Sequence, residues 1–597
     1  MSSRRTRPAR SPGAAAPQTP AATRPRLLTP NQREQFYDLH LRVKQLLKGG
    51  CIRHSTLKEV EVLHDFINRH AAEISKSCDR GDEDRLIELW HVKSLCMIAE
   101  IYDQFGRVKE ARAACSDGIE FFGQLLTLMS ETSEIDDRDK PVLREKVRLC
   151  VDYAQTHYYR DHDYAAAKDL VFRCLKFVKT KLQDVKSFAC FGTLGQGYYF
   201  AGKVLRQEGD YDQAVRFFSL AIENYFHRAE QKVRELKNGS PAERERLSQE
   251  LALSTLKSGI ALGLGIGWVN YARGRLRQAM YDNINPARVL LLHASDELSA
   301  AYVDLIYAAI TRALHTTSKR KLEEALGLAK KSYDTFRRNR HRRYTGRAAW
   351  EMGLTLFYSG RLDEAAKMAK KVQDIARQSK DPRWVCNALI LRSRIERRRA
   401  QLGEPGASKR YAAAQRYATR AYTTARTYKQ LMCEINALLT RSAARVDSGD
   451  FPKARADACA ALKRNSESDD PNASRAANPK LEALCYLSIA RTYAREGEGL
   501  KAQEYFSRWK ALETEVEHIF VRELADAVEE EINALNMDFV IKAYPELDLD
   551  SKRWVKELKR FLVGQAKRRE HEKRKVAALL GITRQTLSDW EKDFEKE

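Results

Sequence analysis

Residues Gly202–Ala221 read GKVLRQEGDYDQAVRFFSLA, and this stretch decides how most of the chain folds. Gly209 stands at its centre, seven residues after the small residue Gly202, and Ala214 and Phe218 follow at helical spacing. Small residues at these positions let two antiparallel helices approach closely, and an aromatic ring fills the gap beside them. Glycine turns the chain between the helices because it adopts a positive φ without a Cβ penalty. The stretch therefore predicts a helical hairpin.

The same frame recurs along the chain, at intervals of about 40 to 50 residues. In these copies, the glycines equivalent to Gly209 are Gly106, Gly274, Gly360, Gly449 and Gly497. These small, aromatic and turn positions resemble those of tetratricopeptide repeats, with a spacing longer than the usual repeat of about 34 residues. The resemblance covers about four-fifths of the chain. It implies an all-α, tetratricopeptide-like solenoid, followed in this chain by a small C-terminal helix-turn-helix domain.

Composition divides the chain into five parts. Residues 1–33 are rich in Pro, Ala and Arg and contain no acidic residue, which favours a disordered tail. Residues 34–510 form the predicted repeat array, and residues 511–542 a long amphipathic helix that caps the array or dimerises. Residues 543–551 are the predicted linker, and residues 552–597 the C-terminal DNA-binding domain.

The charge balance indicates an anionic partner. The chain has 105 Lys and Arg against 81 Asp and Glu, a formal net charge of +24. The eleven cysteines lack CxxC-type spacing and favour a reduced compartment. We find no apolar stretch long enough for a membrane span and no secretory signal, so we expect a cytoplasmic protein without membrane contact.

The C-terminal stretch Lys575–Lys592 has the pattern of two short helices joined by a tight turn. Gly581 ends an Ala/Leu-rich helix, and Thr583 is placed to cap a second one. The residues that point outward from the second helix are predicted to contact DNA: Thr583, Arg584, Gln585, Ser588 and Lys592. Ala577-Ala578 and Leu580–Leu587 are similar to the Fis-type helix-turn-helix of bacterial regulators. That resemblance implies a bacterial transcriptional regulator that binds the major groove of DNA and can do so as a homodimer.

A ligand site is expected on the concave face of the array, which the first helix of each repeat would line. Beside the predicted rings lies Arg337–Arg343, a cationic run free of acids. The residues predicted to bind the ligand are Trp268, Tyr271, Arg342, Arg343, Arg347, Trp350 and Tyr358. Such rings and arginines suit a peptide, a protein or a small anionic ligand. The alternative, equally weighted, is that the rings are core and the arginines a solvated loop.

Enzyme signatures are absent from the sequence. We find no P-loop, HExxH, GxSxG or kinase motif, and we expect neither a catalytic residue, a metal site nor a cofactor. Two other readings of the array stay open. One is a scaffold or adaptor that gathers proteins, and the other is an RNA-binding solenoid that uses the arginines of residues 337–347.

Overall fold

The structure is a computed structural model, and all regular elements among the residues that it describes are helices. These residues are 27–48, 54–71, 73–74, 85–105, 107–116, 140–160, 164–182, 188–238, 240–292, 297–379, 381–466, 477–543, 559–560, 562–563, 566, 573, 576–577 and 582–595. Gly106, Gly581 and most of the predicted linker lie outside these ranges.

The first half of the chain forms α1 to α9. Their bounds are α1 (Pro30–Lys48), α2 (His54–Arg69), α3 (Arg85–Gln104), α4 (Val108–Ser116), α5 (Lys140–Arg160), α6 (Tyr164–Lys181), α7 (Phe188–Glu208), α8 (Tyr211–Asn238) and α9 (Pro241–Arg273). Three short segments follow α9, namely Leu276–Gln278, the π-helical Ala279–Ile284, and Asn285–Leu291. The start of α1 at Pro30, with Leu28 buried before it, removes residues 27–33 from the predicted tail.

The second half forms α10 to α21. Their bounds are α10 (Glu297–Leu314), α11 (Lys319–Arg338), α12 (Arg342–Tyr358), α13 (Leu362–Ser379), α14 (Pro382–Gln401), α15 (Ala407–Thr427), α16 (Leu431–Asp447), α17 (Phe451–Ser466), α18 (Pro479–Glu496), α19 (Gly499–Lys510), α20 (Ile519–Ala543) and α21 (Arg584–Glu595). Consecutive helices pack as antiparallel hairpins, and the first helix of each hairpin also packs on the first helix of the next.

The hairpin predicted from residues 202–221 is present. Gly209 has φ +84°, in the region where only glycine is unstrained. The ring of Phe218 lies between two helices, and a Cβ added to Gly202 or to Gly265 would meet it at 2.9 Å. The glycines therefore make room for the ring, as the sequence predicted.

The array coils so tightly that its successive turns touch. Among the first helices, the order runs α7, α9, α10, α12, α14, α16, α18, α20, and α7 contacts α16, α9 contacts α18, and α10 contacts α20. Asn478 Nδ2, at the start of α18, donates to the carbonyl of Ala272 (3.2 Å). The backbone N–H of Glu517, before α20, donates to the carbonyl of Gly274 (3.0 Å). One turn of the superhelix therefore spans five hairpins. The first helices α7, α9 and α10 each contact the first helix that lies five hairpins further along the chain.

The helix expected from residue 511 begins later, at Ile519. A 3-10 turn, Glu513–Glu515, precedes it, and Val516 is extended with φ −118° and ψ 104°. Val516 is fully buried against the turn that holds Gly274, so the contact between turns interrupts the helix. From Ile519 on, α20 packs on α18 and α19 as the first helix of an incomplete repeat.

The described part of the C-terminal region has a small core of its own. Its buried members are Val563, Ala566, Val576, Ala577 and Leu587, with Ile582 and Trp590 packed against them. Among the described residues, we find no helix with the length and apolar character needed to cross a membrane.

Candidate functional site

The centre of the candidate site is Arg347, on α12 at the inner surface of the array. Its guanidinium lies 3.6 Å from the ring centroid of Trp268, which is on α9. Its Nη1 donates to the hydroxyl of Tyr302, on α10, at 2.9 Å. The buried indole nitrogen of Trp268 has no hydrogen-bond partner in the structure. The array therefore brings together Trp268 and Arg347, which the sequence predicted, and adds Tyr302, which it did not.

The pKa of Tyr302 indicates a strong positive potential beside Arg347. Burial alone raises the pKa of a phenol, because the charged form is disfavoured away from water. Here Arg347, Arg206, Arg343 and Lys203 oppose that effect, and the pKa of Tyr302 is lowered to about 8. We call Tyr302 and these four cations the Tyr302 cluster.

The charge of Arg347 is itself poorly compensated. Burial lowers the pKa of Arg347, and the neighbouring Arg206 and Arg383 lower it further, while Tyr302 acts in the opposite direction. A buried guanidinium is normally matched by a carboxylate. Arg347 instead donates to the hydroxyl of Tyr302 and lies in a cationic field, and fixed donors in such a field are the chemistry that holds carboxylate or phosphate groups.

A second cluster on the inner surface is neutralised. We define the Arg312 network by Arg312, Glu351, Tyr271 and Tyr358. Arg312 Nε donates to Glu351 Oε1 at 2.5 Å, and its Nη2 donates to Glu351 Oε2 at 3.3 Å and to the Tyr271 hydroxyl at 3.0 Å. The guanidinium also lies 5.5 Å from the ring of Tyr358. Both members of the ion pair are buried, and Glu351 raises the pKa of Arg312 against the opposing effect of burial.

Two further titratable groups reach this network from the next turn of the array. Burial, with Arg312 and Arg394, lowers the pKa of Lys480 to about 8. Burial, with Lys480 and Arg312, lowers the pKa of His518 well below its usual value, so its imidazole is neutral. Both ring nitrogens of His518 are buried without a hydrogen-bond partner. The contact between turns thus places more positive charge beside the inner surface.

The remaining sequence-predicted ligand residues lie in different surroundings. Arg343 is half-buried and belongs to the Tyr302 cluster, whereas Arg342 is exposed at the first position of α12. Trp350 packs against two hydrophobic core clusters. Trp268 and Tyr271 also pack against a hydrophobic core cluster, so the interpretation that the predicted rings are core applies to them as well, although Trp268 in addition stacks on Arg347.

Sequence reasoning missed Lys203 and Arg206, although the repeat frame contains the signal. Lys203 follows Gly202 by one residue, and Trp268 follows Gly267 by one residue. Arg206 and Tyr271 are equivalent in the same way, each four residues after the frame glycine. Residues at equivalent positions of neighbouring repeats face the same surface. Applying the frame to α7 as well as α9 would have identified both cations.

The residues predicted to contact DNA lie at and after the start of α21. Thr583 Oγ1 accepts the backbone N–H of Thr586 at 3.0 Å, the bond of an N-cap. Arg584 and Lys592 are exposed and Ser588 is half-buried. Gln585 is exposed, and its side chain donates to Asp589 at 3.0 Å. Of the five, Arg584 and Lys592 present their charge to solvent most directly.

Within the described ranges, no group of three or more His, Cys, Asp or Glu side chains is arranged to hold a metal ion.

Comparison with known proteins identifies the repeat. Residues 195–226, which include most of the hairpin of α7 and α8, match the tetratricopeptide repeat family. Together with the recurring hairpins, this match supports a tetratricopeptide repeat array. No curated protein matches the chain.

Three solved structures are similar in fold. A Rap protein complexed with competence and sporulation factor is 11% identical, with a TM-score of 0.38, and the match covers 66% of this chain and 99% of that one. Yeast Tom70 is 10% identical, with a TM-score of 0.35, covering 86% of this chain and 100% of that one. A signal transduction ATPase with numerous domains and a tetratricopeptide repeat sensor, from Pyrococcus horikoshii, is 13% identical, with a TM-score of 0.31, covering 80% and 74%. Values this low carry no inference about ligands.

Proposed function

We propose that the protein is a regulator that binds an acidic segment of a peptide or protein on the inner surface of its repeat array and binds DNA through its C-terminal helices. The observation that carries the first half is the Tyr302 cluster. Four cations surround one phenol, and the pKa of that phenol falls to about 8. An acidic side chain placed there would gain charge-assisted hydrogen bonds and relieve the repulsion between the cations.

A peptide fits this surface better than an isolated small anion. The rings of Trp268 and Tyr302 flank Arg347, so apolar contacts lie next to the cationic groups. The first helices of several repeats continue the surface on both sides. An extended segment would use both features, since alternating side chains can meet rings and cations in turn.

Selection of displayed random peptides on the full-length protein tests this half of the proposal. We expect peptides enriched in Asp and Glu on the wild type. The enrichment should be lost on Arg347→Gln, because the central donor is removed. Arg338→Gln is the matched control, since Arg338 is exposed and bonded to Glu297 at 2.8 Å. A neutral or basic consensus on the wild type would contradict the proposal.

The second half of the proposal rests on α21. Thr583 caps the helix, Arg584 is exposed at its first position, and Leu587 anchors it to the small core. In helix-turn-helix proteins the second helix enters the major groove, where an arginine can bond guanine bidentately. Supporting contacts to phosphates would weaken as salt rises. In a dimer, the half-sites would lie about one helical turn, ~34 Å, apart.

Selection of genomic DNA fragments on the full-length protein tests this half. We expect Arg584→Ala to abolish the sequence preference with the fold intact, whereas Lys592→Ala weakens binding to all sequences about equally. Arg508→Ala, an exposed arginine of the array, is the control. Unchanged footprints with Arg584→Ala would refute its assigned role. Peptide binding without DNA binding would favour a scaffold or adaptor. RNA binding that depends on residues 337–347 would favour the alternative of an RNA-binding solenoid.

A further inference from the structure

A separate cavity lies further along the inner surface, between the helices α11, α12, α14, α16, α18 and α20. Its volume is about 930 Å³. That is within the range of small-molecule sites, about 300 to 1,000 Å³. None of the residues of the Tyr302 cluster lines it, and the Arg312 network meets it only through Tyr358.

One half-buried cation on the wall of this cavity, Arg394, has no counter-ion among the described residues, and the wall also carries the exposed Lys319 and Arg398. Arg397 and Arg491 both lie near Asp447, at 3.3 and 3.8 Å, and Arg491 also pairs with Glu531 at 3.3 Å. Arg394, one turn before Arg398 on α14, lines the cavity and is half-buried. Among the described residues, Arg394 has neither a hydrogen bond nor an ion pair.

The two carboxylates on the wall are already engaged. Glu523 accepts the hydroxyl of Thr316 at 2.9 Å, and Glu323 pairs with Arg361 at 3.2 Å. Neither carboxylate forms an ion pair with Arg394 among the described residues. A cationic ligand would meet the arginines and Lys319 of the wall, whereas an anionic ligand would meet the donors of Arg394.

The rest of the wall combines neutral polar side chains, such as Asn436 and Thr440, with a continuous group of apolar ones. Tyr358 and Phe520 bring their rings within 6.4 Å of each other at one side. Leucines continue the apolar surface, namely Leu439, Leu484 and Leu524. A ligand that combines an apolar body with an anionic group would match both the rings and Arg394.

From this wall we propose that the cavity is a second ligand site, for a small organic acid with an apolar body whose carboxylate is held by Arg394. The guanidinium of Arg394 donates two parallel hydrogen bonds to the carboxylate, and the rings of Tyr358 and Phe520 cover the apolar part. The proposal does not rest on the peptide site, since the residues that carry it are different.

The location of the site gives the ligand a means of control. Phe520, Glu523 and Leu524 belong to α20, the last helix of the array before the C-terminal region. Glu517, just before α20, is also bonded to Gly274 of the preceding turn. A ligand in the cavity therefore contacts the helix that joins the array to the rest of the chain.

Calorimetric titration of the full-length protein with naphthaleneacetate, and with the uncharged naphthaleneacetamide, tests the proposal. We expect naphthaleneacetate to bind the wild type and to lose about tenfold or more of its affinity in Arg394→Gln, because a charge-assisted pair is removed. The amide should bind the wild type and Arg394→Gln with equal, weaker affinity. Arg394→Lys keeps the charge without the fork and should be intermediate.

Two further variants separate this site from the others. Arg347→Gln, in the Tyr302 cluster, should leave the affinity for naphthaleneacetate unchanged, and so should Arg377→Gln, an exposed arginine on α13. Absence of naphthaleneacetate binding, equal binding to Arg394→Gln, or loss of binding in Arg347→Gln would each overturn the proposal. These outcomes do not depend on whether acidic peptides bind.

Discussion

Arg312 and Arg347 lie on the same inner surface and have opposite surroundings. Arg312 is bonded twice to Glu351, and its pKa is raised. Arg347 lies on the ring of Trp268 and bonds only the neutral hydroxyl of Tyr302, and its pKa is lowered. Both have aromatic neighbours, so the carboxylate is what distinguishes them.

We infer from this difference that Arg312 is a structural charge and that Arg347 is available to a ligand. Removing one partner of a buried pair leaves an uncompensated charge, which costs about 3 to 5 kcal/mol. A charge that is already uncompensated in the folded protein cannot lose stability in this way. It can instead gain a partner from outside, which is the basis of the peptide site that we propose.

The largest effect is expected from Glu351→Gln. The variant keeps the shape of the side chain but leaves Arg312 charged and buried, so the free energy of unfolding should fall by about 3 to 5 kcal/mol. Urea denaturation of the full-length protein measures it. Glu504→Gln, which removes an exposed pair with Arg508 on α19, is the control and should change stability little.

Replacing both partners sharpens that prediction. Arg312→Met with Glu351→Met should recover most of the stability lost by Glu351→Gln, because hydrophobic replacement of a whole buried pair is often neutral. If the double variant were as unstable as the single one, the cost would come from packing and the contrast with Arg347 would fail.

The titration of Tyr302 is expected to show the next largest effect. Difference absorbance between the wild type and Tyr302→Phe should reveal one tyrosine with a pKa of about 8. In Arg347→Gln this pKa should rise towards 10, the ordinary value, because the nearest cation is gone. An acidic peptide bound at the cluster should raise it too.

The lowered pKa of Tyr302 also determines the direction in which stability changes with pH. The pKa of this phenol is lower in the folded than in the unfolded chain, so its contribution is present above pH 10 and is lost as the pH falls through 8. Between these values the free energy of unfolding should rise with pH more in the wild type than in Tyr302→Phe. Equal slopes would show that the phenol experiences no cationic field.

The smallest effect is expected from Arg347→Gln on stability. Loss of the contact with Trp268 removes about 2 kcal/mol, because this contact is largely desolvated, and relief of repulsion from Arg206 and Arg383 offsets part of that loss. The free energy of unfolding should therefore change by less than about 2 kcal/mol. A loss as large as that of Glu351→Gln in the same urea experiment would make Arg347 a structural residue and break the comparison.

The repeat frame was predictable because its causes are local. The φ of Gly209 and the space that Gly202 leaves for Phe218 depend on residues within one hairpin, and residues 202–221 contain all of them. The frame also predicted that Trp268 and Arg347 share one face of the array, and the structure places them in contact. Its incomplete application, not its absence, explains why Lys203 was missed.

Other parts of the site depend on how far each hairpin rotates relative to the last, which no local pattern records. Lys480 comes within 5.5 Å of the ring of Tyr271 only because one turn of the array rests on another. The late start of α20 has the same origin, since Val516 packs on the turn of Gly274. The ion pair of Arg312 could not be predicted from the sequence either, because Glu351 lies on α12, the first helix of the following hairpin.

The contact between successive turns restricts how the gene can vary. Gain or loss of one hairpin between Gly274 and Asn478 would move every later hairpin out of phase, and Glu517 would no longer meet the carbonyl that it bonds. Before α7, or after α20, an extra hairpin would disturb none of these bonds. Homologues should therefore keep the central hairpin number constant and differ in length mainly towards the two ends of the protein.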